Sequence, residues 1–174
     1  MRVFIAVEMP EELNEKINEI KRKIQTEGLK LTKENHITLK FLGEVPESRV
    51  GEITSRLKEI IFSPIKIKVL YLDAFPNLNK PRVIHLKCDS PHLIELAKNI
   101  SNKLKDYPDD KPFVPHITLA RIKFLNNKPE LKEKIGDVVV VQEEFMINTF
   151  CLKQSILKPD GPEYTNIEVF EAND

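Results

Sequence analysis

The chain has 174 residues, of which 41% are hydrophobic and only five are glycine, enough for one domain or two small lobes around a sizeable core. Basic and acidic residues balance at 27 each, so no global field draws the protein onto nucleic acid or a membrane, and any anion must be recognised by a local site. Cys88 and Cys151 sit in apolar stretches without C-x-x-C or zinc-ligand spacing, which predicts buried free thiols. The N-terminus lacks a signal-like apolar region and no run approaches ~20 apolar residues, which predicts a soluble cytoplasmic protein.

In chain order, "RVFIAVEM" reads as a first strand. Pro10 suits the first turn of a helix with Glu11, Glu12 and Glu15 at its positive end, and Leu13, Ile17, Ile20 and Ile24 recur at helical spacing to about residue 26. "HITLKFL" is the next strand. Pro46 opens a second helix with Val50, Ile53, Leu57 and Ile60 on one face. "IKIKVLYLDAF" alternates as a strand whose lysines form a solvated face, "FPNLNKP" is a turn and "RVIHLKC" another strand. Ser90-Pro91 caps a third helix carrying Leu93, Leu96, Ile100 and Leu104. After the polar "YPDDKPFVP" come the strand "HITLARIKF" and a short helix from Pro129 to Ile135. "VVVVQEEFMINTFCLKQSIL" supplies strand material around a bulge, "KPDGPEY" a turn and "TNIEVFEA" the last strand. Helices between strands early and hairpins late point to a mixed α/β or α+β fold.

The tetrapeptide His-Ile-Thr-Leu occurs twice, at 36–39 and 116–119, 80 positions apart and so near half the chain length. Chance would produce such a pair on the order of 0.002 times at ordinary residue frequencies. The spacing fits two lobes related by pseudo-symmetry. On a strand, side chains alternate, so His36 and Thr38 share one face and Ile37 and Leu39 the other; the second copy repeats this with His116 and Thr118 against Ile117 and Leu119. If the polar faces line one cleft, it presents two imidazoles and two hydroxyls. Two histidines of opposite protonation state form an acid–base pair near neutral pH, and two hydroxyls can donate to phosphoryl oxygens. In-line hydrolysis of a phosphodiester fits this set, and a strained 2′,3′-cyclic phosphate fits best. A metallohydrolase with both histidines as ligands is weaker, because no third His or carboxylate lies at ligand spacing. A non-catalytic binder of RNA terminal phosphates stays open.

The paired motifs, together with "RVFIAVEMPEEL", "HITLKFLGEV", "AFPNLNKPRVIHL", "FVPHITLARI" and "LKQSILKPDGPEY", resemble the 2H phosphoesterase superfamily over nearly the whole chain. Within it the resemblance is to the LigT-like RNA 2′,3′-cyclic phosphodiesterases, also known as 2′-5′ RNA ligases. The resemblance implies an α+β fold of two pseudo-symmetric lobes, mainly antiparallel sheet with outer helices, facing each other across a central cleft. Residues 1–174 would form one bilobal domain, each lobe giving one His-x-Thr motif. It implies His36 as proton donor to the leaving 3′ oxygen, His116 as proton acceptor from water, and a 2′-phosphate product. The near-symmetry of the motifs does not by itself say which histidine is which. Thr38 and Thr118 would hold phosphate oxygens, with Arg121, Tyr164 and Ser155 as further substrate-binding positions. No metal or cofactor is implied. The expected partners are RNA ends or small cyclic nucleotides bearing a 2′,3′-cyclic phosphate, bound by a monomer without a membrane, with ligation as the reverse reaction.

Four further expectations concern single residues. Arg121 stands five positions after His116, an odd offset that strict alternation puts on the opposite face unless the strand bends. Lys40, two beyond Thr38, falls on the polar face as a potential anion attractor. His85 reads as a half-buried strand residue and His92 as exposed at a helix start.

Overall fold

The structure is a computed structural model and describes residues 1–173. Among these residues, nine strands form two antiparallel sheets. The first contains β1 (Arg2–Glu8), β3 (His36–Glu44), β8 (Thr149–Lys158) and β9 (Gly161–Glu171), in the order β3-β1-β8-β9. The second contains β2 (Leu29–Leu31), β4 (Ile65–Phe75), β5 (Val83–Asp89), β6 (His116–Ile122) and β7 (Glu144–Ile147), in the order β2-β6-β5-β4-β7. His36 therefore belongs to one sheet and His116 to the other, and β3 and β6 approach each other in space. The fold is the expected α+β arrangement of two lobes across a cleft.

One apolar core serves both sheets. Val3, Ile5 and Val7 of β1, Ile37 and Leu39 of β3, Ile84 and Leu86 of β5, and Ile117 and Leu119 of β6 all point into it. The helices close it from outside. α1 (Glu11–Ile24) buries Leu13, Ile17 and Ile24 at helical spacing, with Glu11 and Glu12 in its first turn and Lys21, Arg22 and Lys23 in its last. Pro10 is the residue before this helix, not its first turn. Gly28 then lets the chain turn back: its φ is +93°, and a Cβ there would meet the Phe124 carbonyl oxygen at 1.9 Å. Pro46 leads into a short 3₁₀ turn (Glu47–Arg49) before α2 (Val50–Lys58), so Ile60 lies just past the helix. α3 (Pro91–Lys103) buries Leu93, Leu96 and Ile100, and α4 (Lys128–Asp137) buries Leu131.

Two further features depart from the sequence reading. The valine run at 138–141 is not a strand: Val139 is 84% exposed, and pairing on the β4 edge begins only at Glu144. β propensity alone does not make a strand. The three-residue β2 was not anticipated, because its pairing with β6 is a tertiary contact with no periodicity of its own. Cys88 and Cys151 are free and buried, and the side chain of His92 is exposed, as expected.

Ser90 is the joint between sheet and helix. Its buried Oγ accepts from Leu93 N at 3.2 Å and donates to the Lys66 carbonyl at 2.7 Å. Ser90→Ala leaves both groups unsatisfied, and we expect a loss of about 1–2 kcal/mol in denaturant unfolding. A variant as stable as the wild type would show that water replaces both bonds.

Candidate active site

The sheet register defines the cleft wall. In the first sheet Glu8 lies opposite His36, Ala6 opposite Thr38, and Phe4 opposite Phe41. In the second, Lys87 lies opposite His116, His85 opposite Thr118, and Val83 opposite Arg121. Directly paired residues share a face, so each motif presents its His and Thr beside two partners from the neighbouring strand.

Both motifs carry a bulge at the same place. Ile5 pairs with Lys40 and Ala6 with Thr38, leaving Leu39 without an opposite number; Ile84 pairs with Ala120 and His85 with Thr118, leaving Leu119 unmatched. One extra residue reverses the alternation. Leu119 and Ala120 are thus both buried, and Arg121 returns to the His116 face. This resolves the odd offset in favour of Arg121 as a cleft residue. The same bulge overturns the expectation for Lys40. It is turned inward, buried, with Nζ 2.7 Å from Asp109. It cannot attract an anion in the cleft, and Phe41 takes the exposed position.

Thr32 supports the second bulge. Its N–H donates to the Leu119 carbonyl at 2.9 Å and its Oγ1 to the Thr118 carbonyl at 3.0 Å. Lys21 in turn donates to the Thr32 carbonyl at 2.8 Å, and burial pushes its ammonium down to about 8.

His116 has a defined tautomer. Its Nδ1 lies 2.6 Å from the Val114 carbonyl, which can only accept, so Nδ1 carries the hydrogen. In the neutral ring Nε2 is then the acceptor. Burial lowers the His116 pKa, the Val114 contact opposes this, and Arg121 adds to the lowering.

His36 is set differently. Phe4 and Tyr164 pack against its ring at centroid distances of 5.3 Å each, Tyr164 nearly perpendicular. Its Nδ1 is buried without a partner among the described residues. Burial foremost, then the charge of Lys153, pushes its pKa down to about 4; Glu8 opposes, and His116 adds a small lowering. Lys153 itself is held by Glu8 at 2.7 Å, and Asn166 donates to the same oxygen at 3.0 Å. The hydrogen bond from Lys153 holds the Glu8 carboxyl below the usual range. Beside this ion pair opens a polar recess of about 430 Å³, lined by Asn35, His36 and Tyr164 among others.

Tyr164 therefore reaches the site. Ser155 lies opposite it and opposite Arg2, half-buried in the outer row of the same sheet. The sequence reading missed Glu8, Lys153, Asn166, Phe75 and His85. None has a spacing signal; each joins the site only through strand pairing. Among the described residues no three His, Cys, Asp or Glu side chains are grouped to hold a metal ion, and no helix is long and apolar enough to cross a membrane. The assembled groups offer two proton carriers, two hydroxyls and one guanidinium, a set suited to a reacting phosphoryl group.

Known proteins share this organisation. The family model described as LigT like Phosphoesterase matches residues 4–85 and again 86–164, one match per motif. The RNA 2′,3′-cyclic phosphodiesterase of Methanocaldococcus jannaschii is 39% identical over 173 residues, covering 97% of this chain and 99% of that protein. The protein of the same name from Archaeoglobus fulgidus is 38% identical over 182 residues, covering 98% and 100%. Among solved structures, TT0787 of Thermus thermophilus superimposes with a TM-score of 0.86 at 32% identity, over 98% of this chain and 97% of that one. With matches over both halves and relatives aligned end to end, the chain belongs to the LigT-like phosphoesterase family.

Proposed function

We propose that this protein hydrolyses 2′,3′-cyclic phosphate ends of RNA or nucleotides to 2′-phosphates, using His36 and His116 as an acid–base pair and no metal. The observation that carries this reading is the placement of two bulged His-x-Thr strands, one from each sheet, around one cleft. The names of the relatives in M. jannaschii and A. fulgidus support the substrate class. In this reading residues 1–174 work as one bilobal unit, because neither sheet holds both histidines.

His116 Nε2, fixed as an acceptor by the Nδ1 contact to Val114, takes a proton from water. The oxygen attacks phosphorus, the bond from phosphorus to the 3′ oxygen breaks, and His36 gives that oxygen a proton. Thr38, Thr118 and Arg121 face the charge that gathers on the non-bridging oxygens. Tyr164 walls the donor side, and Ser155 extends the same face toward the rest of the substrate. The protein's own groups keep His36 neutral. A phosphodiester monoanion beside the ring favours the imidazolium, so substrate binding itself arms the donor. The same residues join ends through a 2′-5′ linkage when a 5′-hydroxyl replaces water as the nucleophile: His116 takes its proton, its oxygen attacks phosphorus, and the 3′ oxygen leaves with a proton from His36. The substrate is gripped at its terminus by a monomer, consistent with the balanced net charge.

His36→Ala and His116→Ala should each lower kcat on a 2′,3′-cyclic nucleotide by ~10²–10⁴-fold, and the double variant should be far from multiplicatively worse. Activity should persist in chelator. Loss in chelator with rescue by zinc or manganese would replace the acid–base pair with a metal. Binding of phosphate ends by a wild type that never turns over would make the protein a binder.

The pKa directions give the pH dependence. Both free-enzyme imidazoles lie below 6.5, His36 at about 4, so the fraction carrying a donor proton falls as pH rises through and above those values. We expect kcat/KM to peak on the acid side of pH 6.5 and decline above it, with the kcat profile displaced upward by bound phosphate. A kcat/KM that climbs through pH 7 to 8 would contradict this.

Thr38→Val and Thr118→Val keep shape and remove one donor each. Each should cost on the order of 2–4 kcal/mol in kcat/KM, with unfolding midpoints unchanged. Full activity would make the threonines packing groups only.

A further inference from the structure

His85 is the one histidine that the proposed chemistry leaves unused and that nevertheless lies against it. It is 1% exposed, and both ring nitrogens are buried with no partner among the described residues. The Leu86 backbone is near enough to favour the cation slightly but does not meet hydrogen-bond geometry. A buried imidazole left in this state demands an explanation.

Its neighbours supply one. The His85 ring stacks on Phe75 with centroids 4.1 Å apart and planes at 27°. Both rings then abut His116: His85 at 5.1 Å and 65°, Phe75 at 4.9 Å and 89°. The three rings form a cluster with His116 against two faces. The two halves of the protein differ here. The position opposite Thr38 is Ala6, whereas the equivalent position opposite Thr118 is His85. His36 finds its aromatic packing in Phe4 and Tyr164 instead.

We propose that His85 is a positioning residue for His116, forming with Phe75 an aromatic clamp that holds the imidazole with Nδ1 on the Val114 carbonyl and Nε2 toward the cleft. This deepens the acid–base reading and rests on it for its catalytic consequence. The clamp fixes the tautomer as well as the angle, because rotation of the ring away from Val114 frees Nδ1 to lose its proton. The clamp works as a neutral ring. A charged His85 would face His116 from β6 and Lys87 from its own strand, with Asp73 on β4 the opposing charge and Phe75 offering none. Burial foremost, then the His116 charge, pushes His85 down to about 4, which keeps it neutral wherever His116 must accept a proton.

The test pairs kinetics with NMR of selectively labelled histidines in the intact chain. His85→Phe keeps a neutral ring in the clamp; His85→Val removes one wall; Phe75→Leu removes the other at an exposed position, with unfolding midpoints measured for each variant. In the wild type and His85→Phe, the His116 spectrum should show one tautomer, with a hydrogen-bonded Nδ1 proton. In His85→Val and Phe75→Leu that proton should exchange with solvent and the tautomers mix. On a 2′,3′-cyclic nucleotide, kcat should fall by about 10- to 100-fold in those two variants, with KM little changed. It should stay near wild type in His85→Phe. If His85→Val does not fold, Phe75→Leu alone decides. An unchanged His116 tautomer and kcat in Phe75→Leu would overturn the clamp. A wild type without turnover whose His116 tautomer still loosens in the variants would overturn the hydrolase reading and leave the clamp standing.

Discussion

Within each motif the strand holds one residue more than its partner, Leu39 against β1 and Leu119 against β5, and the cleft depends on that extra residue. A strand with perfect alternation would present His and Thr but send the fifth position back into the core. The bulge instead sinks two consecutive residues and returns the fifth to the cleft. In β6 that residue is Arg121, so a permanent cation joins His116 and Thr118. In β3 it is Phe41, exposed beside Phe4. A bulge leaves backbone groups to be satisfied, and Thr32 satisfies the carbonyls of Thr118 and Leu119. Through Lys21 this bracing ties the second motif to α1, an element from the other half of the chain.

The repeated motif builds two histidines with unequal surroundings. His36 sits between Phe4 and Tyr164, with a Glu8–Lys153 ion pair close by. His116 sits against Phe75 and His85, with Lys87 across the ladder and Arg121 on its face. Desolvation lowers both, so the protein's own groups favour two neutral rings. In the proposed function a bound phosphoryl anion converts that state into an acid–base pair. The Nδ1 contact of His116 to Val114 has no counterpart at His36, whose Nδ1 is buried without a partner among the described residues; in the neutral His116 ring it leaves Nε2 to accept.

Much of this was legible in the residues. The doubled His-Ile-Thr-Leu, read with period-two alternation, located the two motif strands of the candidate site and their core-facing residues Ile37, Leu39, Ile117 and Leu119, all of them buried. Helical spacing found α1, α2 and α3, and the Ser90-Pro91 pair found the start of α3. What stayed hidden is whatever register decides. A bulge has no composition signal, so Lys40 was put on the wrong face and the face of Arg121 was left open. His85 looked like an ordinary strand residue because only its pairing with Thr118 places it beside His116. The run at 138–141 looked like a strand because its four valines carry β propensity, which alone does not make a ladder.

The central claim is that the two half-sites together open a cyclic phosphate at its 3′ oxygen without a metal. The most direct measurement is phosphorus NMR of a 2′,3′-cyclic nucleotide incubated with the purified protein and chelator in ¹⁸O-labelled water. The account predicts conversion to the 2′-phosphate with one ¹⁸O on phosphorus, abolished when either motif histidine is replaced. A 3′-phosphate product, or no product from the wild-type protein, would contradict it.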